Sequence, residues 1–461
     1  MFKVAKKKSI ARGAILALLA ASVWAAQTPS ASGPIPSTFF AMTALKPTDL
    51  PKVTIGTLGH PSDFAWTSIG RSQGVYNFTG YDSYVTAATK IGLLDTTTNT
   101  LNMAFTLGMT PGWAKADQSS CSNPYGETQC TLGPDNVADW TNFITALMNH
   151  YNGKANPHIR YYELWNEINA PNFWTGTNAE LVTLAKAAYP IIHADPNSML
   201  LTPSVSGSFQ GTQSTNGLTT MTNYLKAGGG QYADGGAWHG YIGRTGQTPY
   251  PWPEQSTVPG CADTYCYGSI IYKVTAIRQV FDANGMSGKP MYQTEGSWGE
   301  ANVANSDDQI AWLARWVLLQ AGLRTTANLQ FASWYAWGVG ASQNWGGIET
   351  GSLTPTPAGL AYGQVYQWLV GASIDQPCSS TSDGTWTCNL TRAGGYIAQA
   401  VWNTAGSKSF TPAVANGSFT QYRDLAGNTV TLQKGGSVAI GSKPILLEGK
   451  GSARPFRPKR P

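Results

Sequence analysis

Eight short runs rich in β-branched and aromatic residues recur along this chain, at residues 39–43, 53–57, 101–107, 159–164, 199–203, 237–241, 290–294 and 329–335. Most are five to seven residues long, and several are followed by Gly, Pro or polar loops, as strands are. Between them lie stretches with apolar residues at helical spacing: 81–91, 137–151, 179–192, 272–283 and 307–321. Strands that alternate with helices need crossover connections, and these build parallel sheets. Eight such units predict an α/β fold, a (β/α)8 TIM barrel, over residues 37–372. An open doubly wound sheet is the rival, but no G-x-G-x-x-G phosphate-binding turn follows any of the strands.

The texture changes after residue 372. Segments 386–390, 396–402, 419–423, 429–432 and 445–448 are short strand candidates joined by Gly, Asn and Ser turns, with no helical pattern. Residues 373–450 are therefore expected to form a small C-terminal antiparallel β-sandwich. Its Trp386 and Trp402 are expected in its core. Residues 451–461 read as a basic, Pro-rich, disordered tail.

The N-terminal 26 residues read as a signal peptide. Lys6, Lys7, Lys8 and Arg12 precede an apolar run at 13–26, too short to span a membrane as a helix. Residues 27–36 read as a Ser/Pro/Ala linker. The expected location is secreted or periplasmic, with no membrane span in the mature protein.

Charge narrows the partners. The net +5 resides at the two ends: five cations and no acid precede residue 27, and four cations follow residue 453. The body between them carries no basic stripe to meet phosphates, which argues against nucleic acid. Charged residues make up only 12% of the chain, about half the usual share, while 17 Trp and 21 Tyr are present. Aromatic faces in a near-neutral body suit an uncharged sugar.

Export permits disulfides. The six cysteines form three local couples, Cys121 with Cys130, Cys261 with Cys266, and Cys378 with Cys388, and local pairing is the simplest connectivity. A metal site through these cysteines is disfavoured, since the five histidines offer no i, i+4 pair. No cofactor is expected.

The sharpest chemistry lies at two strand ends. Tyr162-Glu163-Leu164-Trp165-Asn166-Glu167 closes the fourth strand, and Met291-Tyr292-Gln293-Thr294-Glu295-Gly296 closes the seventh. Active sites of barrels lie at the C-terminal ends of the strands, and strands four and seven face each other across the mouth. Two carboxylates about 5–5.5 Å apart are what a retaining glycosidase needs. Trp238-His239-Gly240-Tyr241 ends the sixth strand and Trp334-Tyr335-Ala336-Trp337 the eighth. Trp113, Trp174, Trp298 and Trp345 sit on loops at the same end. Gly70-Arg71-Ser72-Gln73-Gly74 matches the serine-hydrolase elbow but lacks the flanking strand and helix that elbow requires.

Trp165-Asn166-Glu167 at the fourth strand, with a Glu ending the seventh, resembles the clan of retaining (β/α)8 glycoside hydrolases. The longer string from Glu163 to Trp174 is most similar to glycoside hydrolase family 39, whose members also carry a small β-domain. The resemblance implies that Glu167 is the general acid/base and Glu295 the nucleophile. It implies that Asn166 bonds the sugar 2-hydroxyl, that Tyr241 donates to Glu295, and that His239 bonds substrate or the catalytic network. Trp337 would be the platform under the sugar, with Trp113, Trp174 and Trp298 lining the cleft. Trp165 and Trp174 would supply an apolar wall for the acid. Two departures stand out. The clan often has an Arg at the end of strand two, where this chain reads Thr57-Leu58-Gly59-His60, so another donor must hold Glu295. The acid is usually followed by Pro, and here by Ile168.

The expected function is a retaining glycosidase acting on a β-linked oligo- or polysaccharide. A transglycosylase would use the same residues, and a non-catalytic carbohydrate-binding surface protein is the reading from another class. Glu300 is the nearest substitute for Glu295.

Overall fold

The computed structural model describes residues 30–61, 64–123, 128–206, 216–242, 252–255, 269–298, 306–338, 346–350, 352–413, 419–433 and 435–449. The expected signal peptide, the basic tail, Trp345 and Glu300 lie outside these residues.

Eight parallel strands form the central sheet: β1 (Phe40–Ala44), β2 (Thr57–Leu58), β3 (Thr100–Thr106), β4 (His158–Glu163), β5 (Met199–Leu201), β6 (Gly236–His239), β7 (Met291–Glu295) and β8 (Leu329–Trp337). Their order is β5-β4-β3-β2-β1-β8-β7-β6. A parallel bridge between Leu201 and Gly235 joins the two ends, with Thr202 N–H donating to Gly235 O at 3.0 Å and Asp234 N–H to Leu200 O at 2.7 Å. The sheet is thereby a nearly closed barrel. Among the described residues seven long helices cover it: α1 (Thr79–Lys90), α2 (Val137–His150), α3 (Asn178–His193), α4 (Gly217–Lys226), α5 (Ile270–Ala283), α6 (Ser306–Ala327) and α7 (Pro357–Leu369). Their starts follow local chemistry. Asn136, Asn216, Ser269 and Thr356 cap the first-turn N–H groups, and Thr177 with Glu180 forms a reciprocal capping box.

Side-chain alternation fills the barrel in layers. Ala41, Ala104, Tyr161, Leu201, Ala237, Tyr292 and Phe331 form an apolar floor, in which the rings of Tyr161, Tyr292 and Phe331 lie 5.1–5.2 Å apart. Two residues further along the same strands come Thr43, Thr106, Glu163, His239, Thr294 and Ser333, all buried. The barrel thus turns from apolar to polar one layer below its C-terminal mouth.

After α7 the chain forms a six-stranded antiparallel sheet. Its longest members are β9 (Thr385–Arg392), β10 (Tyr396–Asn403), β11 (Phe419–Arg423) and β12 (Ile445–Gly449). One face, with Leu390, Ala398, Ala400 and Trp402, belongs to the barrel's own apolar core. The other, with Val401, Phe419, Ile445 and Leu447, packs on Val438 and Ile440 of a two-stranded sheet. Arg392 donates to the carbonyls of Gln367, Trp368 and Val370, satisfying the end of α7.

Two of the three expected disulfides are formed, Cys121 with Cys130 and Cys378 with Cys388. The third expected couple, Cys261 and Cys266, lies outside the described residues.

A buried ion pair fastens the C-terminal sheet to the barrel. Arg315 of α6 meets Glu254 in a bidentate pair at 2.8 and 2.5 Å, and the Trp402 indole N–H donates to the same carboxylate at 2.8 Å. Both charged side chains are 2% exposed. Removing one partner strands a buried charge. Arg315→Met is therefore expected to cost about 3–5 kcal/mol in denaturant unfolding. Arg315→Met with Glu254→Leu is expected to recover most of that loss.

The structure differs from the sequence reading in three places. The second strand is two residues long and begins at Thr57, because the chain there runs tightly against its neighbours. A Cβ on Gly56 would lie 2.1 Å from Ser37 O, and one on Gly59 would lie 2.3 Å from Thr43 Oγ1. No helix lies between β1 and β2, whereas α4 was not anticipated, since it is only ten residues long and its buried stripe of Met221, Tyr224 and Leu225 lies among threonines. The segment expected as a linker is pinned from residue 31 onward. Ala31 and Ile35 are buried, and Ile35 exchanges backbone hydrogen bonds with the 371–372 turn.

Candidate active site

The two glutamates expected at the strand ends converge. One carboxylate oxygen of Glu167, one of Glu295 and a ring nitrogen of His239 all lie within 4.8 Å of one another. Their surroundings differ. The Glu295 side chain is 9% exposed and that of Glu167 is 16% exposed.

Glu295 is held by donors on both oxygens. Tyr241 donates its hydroxyl to Oε2 at 2.5 Å, and His60 Nε2 lies 2.6 Å from Oε1. His239 Nδ1 adds a contact at 3.5 Å. Burial alone pushes this carboxyl up. The charges of His239 and His60 and the two hydrogen bonds outweigh it and bring it down to about 2. Burial and the neighbouring Glu295 push the Tyr241 phenol well above its ordinary value, so it remains a donor.

His60 is the donor that the missing Arg required. It follows Gly59 at the end of β2 and is buried. Its Nδ1 lies 2.7 Å from the carbonyl of Pro61, an acceptor only, so Nδ1 carries a proton. Nε2 therefore donates to an ionised Glu295 only when the ring is an imidazolium. Burial opposes that charge, and Glu295, Glu163 and the Pro61 carbonyl together outweigh burial and raise the pKa of His60.

Glu167 is set by its backbone. Its φ is +35°, a left-handed value that costs a non-glycine residue about 1–3 kcal/mol. The Glu167 N–H donates to Ser204 Oγ at 3.0 Å, and Ile168 N–H donates to Ser204 O. Asn169 and Ser206 exchange two further bonds, stitching the loop after β4 to the one after β5. The carboxylate receives His239 Nδ1 at 2.7 Å. Asn166 is buried beside it, and its side-chain oxygen has no protein partner among the described residues.

Glu167, Glu295, His239, Tyr241 and Asn166 are thus brought to the mouth. The tryptophans are placed otherwise. Trp337 is fully buried and donates to Asp49 at 2.9 Å, which leaves it no open face for a sugar. Trp298 packs on Trp312 and Trp334, and Trp174 on Trp165. Both are buried, since loops of this barrel cover their own aromatic surface. Trp113 keeps part of its surface and donates to Gly70 O at 2.8 Å. Trp165 is fully buried and donates to Phe173 O at 2.9 Å. Tyr335, half-buried on β8, lies against both His60 and Tyr241 at ring distances of 6.2 and 6.3 Å. It was not singled out from sequence; its place inside a Trp-Tyr-Ala-Trp strand end hid it among core aromatics.

Among the described residues, Glu167, His239 and Glu295 are the grouping whose atom types suit a metal. Both oxygens of Glu295 already accept N–H or O–H donors, so the set is built as a hydrogen-bond network.

No protein-family model matches this chain, and no curated protein does. Solved structures do. A family 39 glycoside hydrolase from the gut symbiont Bacteroides cellulosilyticus aligns over 90% of this chain and 81% of its own, at 17% identity and a TM-score of 0.63. A monomeric β-xylosidase from Caulobacter crescentus aligns over 91% and 97%, at 15% identity and a TM-score of 0.58. A family 44 endoglucanase from Clostridium thermocellum aligns over 90% and 97%, at 11% identity and a TM-score of 0.55. The barrel, its appended antiparallel sheet and their connection are together the fold that the family 39 glycoside hydrolases have.

Proposed function

We propose that this chain is a secreted retaining glycosidase that cleaves a β-linked oligo- or polysaccharide. The observation that carries the reading is the approach of Glu167 and Glu295 to within 4.8 Å. That matches the close spacing of double displacement rather than the ~6.5–9.5 Å that leaves room for water in an inverting enzyme. The unequal surroundings support the division of roles. Glu295, anionic and held at both oxygens, attacks the anomeric carbon. Glu167, the more exposed, gives its proton to the leaving oxygen. It then takes a proton from water, which attacks the glycosyl ester and frees Glu295. Asn166 would bond the sugar 2-hydroxyl, a contact that strengthens in the transition state. Disulfides between Cys121 and Cys130 and between Cys378 and Cys388 suit an oxidising compartment. No helix among the described residues is long and apolar enough to cross a membrane.

The test is a panel of aryl β-glycosides and of plant and bacterial polysaccharides. β-Xylosides come first, given the similar β-xylosidase structure. Wild type is expected to turn over at least one. Glu167→Ala is expected to lose about 10²–10⁴-fold on substrates with poor leaving groups and much less on activated aryl glycosides. Equal loss on both classes would remove Glu167 from the acid role. Product analysis with an added acceptor sugar separates hydrolysis from transglycosylation.

A further inference from the structure

Below the catalytic pair lies a third carboxylate. Glu163 is the next inward residue after Tyr161 on β4, in register with Thr106 of β3. It is 1% exposed, and neither of its oxygens has a hydrogen-bond partner among the described residues. Oε1 lies 3.8 Å from Nε2 of His239, a nitrogen that is also without a partner among them. That separation is Coulombic range, beyond a direct hydrogen bond. His239 is fully buried and faces three carboxylates: Glu163 at 3.8 Å, Glu167 at 2.7 Å and Glu295 at 3.5 Å.

The titratable groups that face one another here are His60 from the end of β2, Glu163 and Glu167 from β4, His239 and Tyr241 from β6, Glu295 from β7 and Tyr335 from β8. A buried cluster of this kind is stable when its charges cancel. The proposed reaction requires Glu295 ionised and Glu167 protonated at the outset. With both histidines as imidazolium, Glu295 alone leaves one positive charge in excess. An ionised Glu163 cancels it.

We infer that Glu163 is a positioning residue whose negative charge keeps His239 protonated, so that the ring donates its N–H to Glu167 and keeps a positive charge beside the ionised Glu295. The inference rests on the retaining reading above. Burial drives His239 toward the neutral form, and the three carboxylates outweigh it, raising its pKa well above the ordinary value. Glu163 also acts on His60 through space in the same sense. It touches no reacting atom. Its effect passes through His239, which bonds Glu167 directly.

The test is Glu163→Gln, which keeps shape and hydrogen-bonding capacity and removes the charge. Loss of that charge lowers the pKa of both histidines. The alkaline limb of the kcat/KM profile should therefore move toward acid by at least about one pH unit. Glu163→Asp, which keeps the charge, should keep the wild-type limb. A folded Glu163→Gln enzyme with reduced activity and unmoved limbs would show a merely structural role and overturn the inference. A second measurement needs neither substrate nor variant stability. The chain has five histidines, so ¹⁵N-histidine NMR of the whole wild-type protein resolves each ring. His239 should show both ring nitrogens protonated from about pH 5 to about pH 8, where an unperturbed histidine loses its charge. A neutral His239 in that range would overturn the inference even if the retaining reading stands. An imidazolium His239 in a protein that turns over no glycoside would fail that reading alone.

Discussion

Glu295→Ala is expected to abolish turnover, by about 10⁴–10⁶-fold as for removal of other covalent nucleophiles. The loss should appear in kcat on every substrate, because no other carboxylate among the described residues reaches the same point of the mouth with two donors on it. Removing the side chain opens a space lined by His60, His239 and Tyr241, whose donors still point inward. A small anion fits that space. Azide should restore part of the activity on an aryl β-glycoside, and because it attacks once, from the face Glu295 used, the product should be the α-glycosyl azide. Activity that survives Glu295→Ala would remove Glu295 as nucleophile and turn attention to Glu300.

Replacing His60 is expected to have the next largest effect. His60→Gln keeps a donor near Oε1 and deletes the positive charge. Loss of such a charged donor costs about 10²–10³-fold in kcat. The pH dependence fixes the cause. Glu295 must be ionised to attack, so activity is present above its pKa and lost as pH falls through it. Wild type holds that value at about 2, so its acid limb should lie far below the usual carboxylate range if Glu295 alone sets it. Without His60, burial is less well opposed and the pKa rises, so the acid limb of His60→Gln should move upward. An acid limb that stays in place, with kcat reduced, would mean that His60 shapes the site without tuning the nucleophile.

How far this site was legible in the sequence depended on residue type. Glu167, Glu295, His239 and Tyr241 stand at or next to ends of recognisable strands, and strand ends of a barrel converge by geometry. His60 stands at a strand end too, but β2 is two residues long and bracketed by Gly56 and Gly59, so its β-pattern is weak and falls out of register with the run at 53–57. The need for a donor to Glu295 was visible; the residue that fills it became visible only when β2 was placed beside β1. Glu163 lay in the quoted motif, yet alternation alone does not reveal that it sits beneath His239, 76 positions later in the chain. Tryptophan was the least legible. Trp337, Trp298 and Trp174 are at the right end of the barrel, but loop length and tryptophan count do not tell a plug from a platform, and this fold uses them as plugs. In the C-terminal sheet the strand at 396–402 was legible, but Trp402, expected in that domain's own core, faces the barrel with Ala398 and Ala400, while Val401 faces the small domain's core. The pair formed by Lys408–Phe410 and Val438–Ile440 was missed, because each is only three residues long.

Double displacement by Glu295 and Glu167 is decided by following the anomeric proton of the first product by NMR, in the minutes before mutarotation, on a β-glycoside that the wild-type enzyme cleaves. The spacing of the two carboxylates predicts that the β-anomer appears first and the α-anomer only later, by mutarotation. An α-anomer appearing first would mean a single displacement by water, and would contradict the assignment of Glu295 as nucleophile.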